Sequence, residues 1–166
     1  MNAESTPCLV IGAGPAGISA AQWLVSLHVP YRWVTRDGEV GGFLHSVHNT
    51  IINYPGGVFE NGSSLAETMA DSLEPSGASM PEPGDVRRLE KTDDGVWLAS
   101  FRDRQPLLAS TVILATGTRY KTLGVPGEHT GFEKGCVSQS GTRDAHKVAG
   151  RHVAVVGGGD SGFENA

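Results

Sequence analysis

Apolar positions near the start of the chain switch between two periods. Cys8-Leu9-Val10-Ile11 is a short unbroken apolar run meeting a glycine-rich turn, the pattern of a parallel strand buried on both faces. Pro15 stands where a helix can open, and residues 18–27 carry a mostly apolar helical pattern. Residues 31–35 read as a second strand. Strand, turn, helix and strand in roughly 30 residues make a βαβ unit, whose right-handed crossover sets the second strand beside the first.

Residues 36–60 have no long periodic element. Gly38, Gly41, Gly42, Pro55, Gly56 and Gly57 predict a structured ligand loop there. Ser64 with Glu67 predicts a capping box and a helix reaching Leu73, closed by Pro75 and Gly77. Pro81-Glu82-Pro83-Gly84 reads as a rigid turn before Val86. The alternating run 96–101, a turn at residues 103–105 and then Leu107-Leu108 predict a small antiparallel meander. Residues 111–115 read as a further buried parallel strand, ending in Thr116-Gly117. A glycine-rich polar connection follows, with room for short helical turns, and it is long for the inside of one compact unit. Residues 152–156 read as a strand that meets Gly157-Gly158-Gly159-Asp160-Ser161-Gly162. The domains expected are therefore 1–117, a connection over 118–150, and the first strand and turn of an incomplete second domain over 151–166.

Composition narrows the classes. The 166 residues include 23 glycines and are 39% apolar, as in a loop-rich globular protein. Eighteen acidic against 13 basic side chains leave a net charge of -5, which gives no reason to expect nucleic acid or acidic lipid as partner. No apolar run reaches transmembrane length and residues 1–7 do not resemble a secretory signal, so the expectation is no membrane partner and a cytoplasmic location. The two cysteines make no disulfide framework, although one bridge between them stays open. Cys8 reads as a small buried hydrophobe and Cys136 as an incidental loop residue. His45 and His48 lack Cys, Asp or Glu at ligand spacing, so no metal site is expected; both read as polar loop residues, with proximity to a ligand or substrate in that loop as the alternative.

The chemistry is carried by Gly12-Ala13-Gly14-Pro15-Ala16-Gly17. A lone Gly-x-Gly-x-x-Gly is weak, but this one follows a strand, opens a helix and precedes a second strand. Gly12 permits the tight turn, Gly14 lets backbone approach a pyrophosphate, and Gly17 allows close helix packing. The helix N-terminus adds unpaired N–H donors and a favourable dipole. At the end of the second strand, where an acidic residue usually accepts from ribose hydroxyls, the chain has Arg36 followed by Asp37. Arg36 cannot accept a hydrogen bond. Either Asp37 takes that role, or the loop rearranges and Arg36 contacts the nucleotide, or Arg36 is a plain surface charge.

Taken together, Val10 to Gly17, Gly41-Gly42-Phe43-Leu44, Ile52-Asn53-Tyr54-Pro55-Gly56, residues 112–117 and residues 153–161 resemble, in order, the low-molecular-weight thioredoxin reductase family. The resemblance implies an α/β, Rossmann-like three-layer FAD-binding fold with a small antiparallel meander, followed by the start of a second Rossmann-like, NAD(P)-binding domain. It implies that Gly12, Gly14, Pro15, Ala16 and Gly17 hold the FAD pyrophosphate, with Arg36 and Asp37 as the alternatives left open at the ribose. Gly41, Gly42 and Leu44 would lie near the flavin and its linker, and Asn53 around the ribityl and ring region. Val86 would offer backbone near adenine, and Thr116 and Gly117 would pass close to FAD. Gly157, Gly159 and Ser161 would begin an NAD(P)H site.

Two departures matter. Ser140 and Arg143 stand where the family carries a redox Cys-x-x-Cys, and neither can cycle between thiol and disulfide. The C-terminal segment that completes the family's FAD domain is not in this sequence, which leaves three expectations open: a homo-oligomer or a second chain supplies that half, the sequence is part of a longer protein, or the cradle is a reduced binding module. The leading expectation is an FAD-dependent oxidoreductase, or part of one. It would take hydride from NAD(P)H and reduce an unidentified acceptor other than thioredoxin, without an internal disulfide relay. An FAD-dependent dithiol oxidase using oxygen and a non-catalytic flavin-binding subunit are the alternatives.

Overall fold

In the computed structural model, which describes residues 4–164, the first apolar run is the end of a longer strand, β1 (Glu4–Ile11). Its side chains alternate between two cores. Cys8 and Val10 pack with Ala13, Ile18, Ala21, Leu24 and Trp33, while Leu9 and Ile11 pack with Val34, Ala99, Leu107 and Ala109. Both faces of the strand are thus covered, as its unbroken hydrophobicity requires. Helix α1 (Pro15–Ser26) buries Gly17, Ile18, Ala21 and Leu24. It returns the chain to β2 (Tyr31–Thr35), which lies parallel to β1 with Cys8 opposite Tyr31 and Ile11 opposite Val34.

A short 3-10 helix (Gly42–Ser46) and a two-stranded hairpin, β3 (Ile51–Tyr54) with β4 (Gly57–Phe59), occupy the expected ligand loop. Helix α2 (Gly62–Asp71) follows. Its cap corrects the expectation: Asn61, not Ser64, is the N-cap. The Asn61 Oδ1 accepts from the Ser64 N–H at 3.0 Å, and the Ser64 hydroxyl oxygen accepts from the Asn61 N–H at 3.3 Å. Serine thus supplies the reciprocal oxygen expected of Glu67.

Glu82-Pro83, expected as a turn, forms a two-residue strand, β5 (Glu82–Pro83), parallel to β2. Proline is tolerated there because the strand lies at the sheet edge. The meander is β6 (Val86–Lys91), β7 (Trp97–Phe101) and the first half of β8 (Leu107–Leu114), paired antiparallel. Leu107-Leu108 and the expected strand 111–115 are one element. No glycine or proline interrupts residues 107–114, so β8 pairs with β7 near its start and runs parallel to β1 from Leu107 to Leu114. The sheet order is β5-β2-β1-β8-β7-β6. The fold is the expected α/β Rossmann-type sheet with flanking helices and an antiparallel meander.

The chain divides into two compact units, Met1–Thr118, which holds this sheet, and Arg119–Ala166. The second contains α3 (Glu128–Glu133), α4 (Gly141–Val148) and α5 (Asp160–Glu164). The strand expected over residues 152–156 does not form. No backbone among the described residues pairs with it, and Val153, Val155 and Val156 are exposed. A strand is held by its ladder, so hydrophobicity alone does not make one.

Candidate functional site

The first glycine motif forms a closed turn at the C-terminal end of β1. Gly12 adopts φ +104°, and a Cβ there would lie 2.2 Å from the Ala115 carbonyl oxygen. A Cβ on Gly17 would lie 2.0 Å from the Gly12 carbonyl oxygen. That same oxygen accepts from the Trp33 indole Nε1–H at 2.9 Å. The Gly12 N–H donates to the Val34 carbonyl at 2.8 Å, and the Ala115 N–H to the Ile11 carbonyl at 2.8 Å. Gly12 and Gly17 are therefore required by the protein's own packing.

Gly14 differs. A Cβ there would meet nothing nearer than the Gly41 carbonyl oxygen at 3.9 Å. Gly14 is the N-cap of α1, makes no side-chain cap, and is followed by Pro15 and a first turn with no acidic residue. The first-turn N–H groups of a helix lack intrahelical partners and carry partial positive charge. A smooth, open glycine in front of them fits a pyrophosphate. Nothing in the fold otherwise calls for glycine at this point.

The Gly41-Gly42 loop lies directly on this turn. The Gly41 N–H donates to the Ala13 carbonyl at 2.7 Å, and a Cβ on Gly42 would lie 3.3 Å from the Gly14 Cα. Leu44 is fixed from behind: a Cβ on Gly62 would collide with its carbonyl oxygen. Thr116 borders Gly12, its Cα 3.1 Å from where a Gly12 Cβ would stand, and Gly117 turns the chain away at φ +65°. The structure thus gathers Gly12, Gly14, Gly17, Gly41, Gly42 and Thr116 around one turn. Asn53 is exposed on the β3–β4 hairpin.

The two residues expected at a ribose, Arg36 and Asp37, separate. The Asp37 Oδ1 accepts from the Glu39 N–H at 3.0 Å, which closes a local turn. Arg36 is 82% exposed, and its Nε lies 4.0 Å from the Asp85 Oδ1. Asp85 also pairs with Arg87 at 2.6 Å and Arg102 at 3.5 Å, and it immediately precedes Val86, the first residue of β6. Sequence reasoning passed over Asp85. It also passed over Trp33, although a buried tryptophan N–H needs a partner.

In the second unit one part of the Gly12–Gly17 turn recurs, without a strand before it and with nothing within 4 Å of a Cβ on Gly157. Gly157 has φ +119°, and a Cβ on Gly162 would lie 2.1 Å from the Gly157 carbonyl oxygen. The Phe163 N–H donates to the Gly159 carbonyl at 3.1 Å, just as the Ile18 N–H donates to the Gly14 carbonyl at 3.0 Å. Gly162 belongs with Gly157 and Gly159, and the shared two-then-three spacing was the signal for it.

Ser140 and Arg143 are occupied. The Ser140 Oγ caps α4, accepting from the Arg143 N–H at 3.3 Å. The Arg143 guanidinium donates to Asp144 at 2.7 and 3.1 Å, joined by Lys147 at 2.7 Å and the Ser138 hydroxyl at 2.5 Å. Arg143 first, then Lys147 and Ser138, hold the Asp144 carboxyl well below the usual carboxylate range. Cys8 and Cys136 are both free, and burial pushes the Cys8 thiol up. Among the described residues, no group of three or more His, Cys, Asp or Glu side chains is placed to hold a metal, and no helix is long and apolar enough to cross a membrane.

Residues 6–166 match the family described as pyridine nucleotide-disulphide oxidoreductase. The chain is 37% identical over 160 residues to the thioredoxin reductase of Peptoclostridium acidaminophilum, covering 95% of this chain and 48% of that protein. It is 34% identical over 158 residues to the thioredoxin reductase of Bacillus subtilis (strain 168), covering 94% and 48%. The solved structure of T. acidophilum thioredoxin reductase superposes with a TM-score of 0.70 at 31% identity, over 87% of this chain and 45% of that one. The chain spans about half the length of the curated relatives it matches.

Proposed function

Because the chain belongs to the pyridine nucleotide-disulphide oxidoreductase family, we propose that it acts as the FAD-binding part, with the opening of the NAD(P)H site, of a flavin-dependent oxidoreductase. Reducing equivalents come from NAD(P)H and leave to an acceptor other than thioredoxin, without an internal disulfide relay. The observation carrying this reading is the recurring part of the turn, in which Gly12 with Gly17 and Gly157 with Gly162 have the same close approach. A flavin enzyme fed by a nicotinamide needs two dinucleotide cradles, and this chain carries that close approach twice.

When bound, FAD supplies the two-electron redox centre, and the protein's part is to hold and tune it. Gly12, Gly14, Pro15, Ala16 and Gly17 would hold its pyrophosphate. Arg36, Asp37 and Val86 would face the adenosine. Gly41, Gly42, Leu44, Asn53, Thr116 and Gly117 would border the flavin side. Gly157, Gly159 and Ser161 would begin the nicotinamide nucleotide site. The relay is left out because Ser140 is a helix cap and Arg143 is an ion-pair partner. Neither sulfur of the family pair has a replacement nearby in sequence, since Cys136 lies four positions before Ser140 without a vicinal partner.

The test is spectroscopic. The protein, purified with whatever accompanies it, should show flavin absorption near roughly 450 nm that bleaches when NADH or NADPH is added without oxygen. Flavin that stays oxidised under both nucleotides would favour the oxidase or a non-catalytic subunit. A colourless sample that takes up no added FAD would overturn the assignment. Intact mass on the same sample shows whether a second copy, a second polypeptide or further chain completes the assembly.

A further inference from the structure

His45 is absent from the residues the glycine motifs single out, yet its ring stands directly behind the loop on the first cradle. Gly41 and Gly42 have consecutive positive φ values, +108° and +54°. Two such glycines in succession have wide conformational freedom, so the loop must be held by contacts. In front, the Gly41 N–H donates to the Ala13 carbonyl at 2.7 Å. Behind, a Cβ on Gly41 would lie 2.5 Å from the His45 Nε2 and 2.8 Å from the Ala66 Cβ. Gly41 is thus clamped between the cradle turn and the His45 ring, with the Ala66 methyl of α2 beside it.

The ring's polar contacts set its orientation. Nε2 lies 2.9 Å from the Val40 carbonyl oxygen. A carbonyl only accepts, so Nε2 carries a proton and donates. Nδ1 lies 3.4 Å from the Ser63 Oγ, in the first turn of α2. In the neutral ring that nitrogen accepts from the serine hydroxyl. One imidazole therefore links the peptide before Gly41 to the start of α2. Ala66 offers only a methyl group, so the directional part of the clamp is the histidine.

We infer that His45 is a positioning residue for the flavin dinucleotide, holding Val40-Gly41-Gly42 in the conformation that closes over the Gly12–Gly17 turn. The inference rests on the FAD reading of that turn. His45 acts through the loop and needs no contact of its own with the cofactor. Loss of the Nε2–H should leave the sheet intact and loosen the loop, so that cofactor affinity and the asymmetry of the bound flavin's surroundings fall together.

The experiment uses the full chain freed of cofactor, titrated with FAD and followed by flavin fluorescence and visible-region circular dichroism. H45F keeps a ring behind Gly41 and removes the donor, whereas H45Q restores an N–H donor without the ring. H45F is expected to weaken FAD binding about tenfold, the scale of one lost hydrogen bond, and to alter the visible dichroism of the bound flavin. H45Q is expected to stay within about threefold of the parent, while the urea midpoints of all three cofactor-free proteins agree. Parent-like binding and dichroism in H45F would overturn the inference. So would an H45Q no better than H45F, or a fall in urea midpoint with unchanged dichroism. The parent is titrated first: if it takes up no FAD, the FAD reading itself fails and the inference falls with it.

Discussion

The Trp33 indole Nε1–H donates to the Gly12 carbonyl oxygen at 2.9 Å, across from β2 to the turn that ends β1. That oxygen also occupies the place a Gly17 Cβ would need, 2.0 Å away. The turn is thus held by a neighbouring strand through the protein's own hydrogen bond. Trp33 is 3% exposed, so W33F would remove the donor to a half-buried carbonyl and leave a small void beside it. It should destabilise the protein by roughly 2 kcal/mol or more, read from urea unfolding. An unchanged midpoint would mean the hydrogen bond contributes nothing to the turn.

The three glycines should respond differently to alanine. Gly17→Ala drives a methyl into backbone and should cost about 3 kcal/mol as well as FAD binding. Gly14→Ala meets only the Gly41 carbonyl oxygen at 3.9 Å, at an unstrained φ of -74°. Its stability should stay within about 1 kcal/mol of the parent. Equal loss of stability in the two variants would contradict the distinction between a packing glycine and a ligand-facing one.

Much of the first unit is legible in the sequence because its local signals agree. The run Cys8 to Ile11, the glycine spacing and Pro15 each point to a strand, a turn and a helix start. What escaped depends on partners remote in sequence. Glu82-Pro83 becomes a strand only because β2 offers a free edge, and residues 107–114 form one strand because β1 and β7 flank it. Residues 152–156 show the converse, a strand-like sequence with no ladder among the described residues. The roles of Trp33 and His45 lay in hydrogen bonds to carbonyls, which residue spacing does not reveal.

A second ion-pair network ties the sheet edge. Arg32 donates two hydrogen bonds to Glu82 and one to Glu4, and Arg104 adds a contact to Glu82 at 3.1 Å. Arg32 first, then Arg104, hold the Glu82 carboxyl below its ordinary range. A carboxylate whose folded pKa is depressed contributes stability above its unfolded pKa and loses it as pH falls toward the folded one. R32M should therefore lower Tm at pH 7, with a difference that shrinks as the solution is acidified below about pH 4. The pair is part-exposed, so the effect should be about 1 kcal/mol or less and weaken in high salt. A difference that grew on acidification would contradict the assignment.

Thiol chemistry checks the missing relay. The chain has two cysteines, both free. Titration of the denatured protein with a thiol reagent should find both, before and after anaerobic incubation with NADPH. A rise in thiols on reduction would reveal a disulfide and contradict the reading of Ser140 and Arg143.

The central claim is that the Gly12–Gly17 turn is a cradle for FAD, and titrating the cofactor-free chain with FAD and with FMN tests it most directly. FMN keeps the flavin ring and a single phosphate but lacks the adenosine and the second phosphate of the pyrophosphate. The predicted result is saturable FAD binding at one per chain, FMN binding at least about tenfold weaker, and Gly14→Ala lowering FAD affinity by a similar factor at unchanged stability. FAD and FMN bound equally, or a Gly14→Ala chain that binds FAD like the parent, would contradict it.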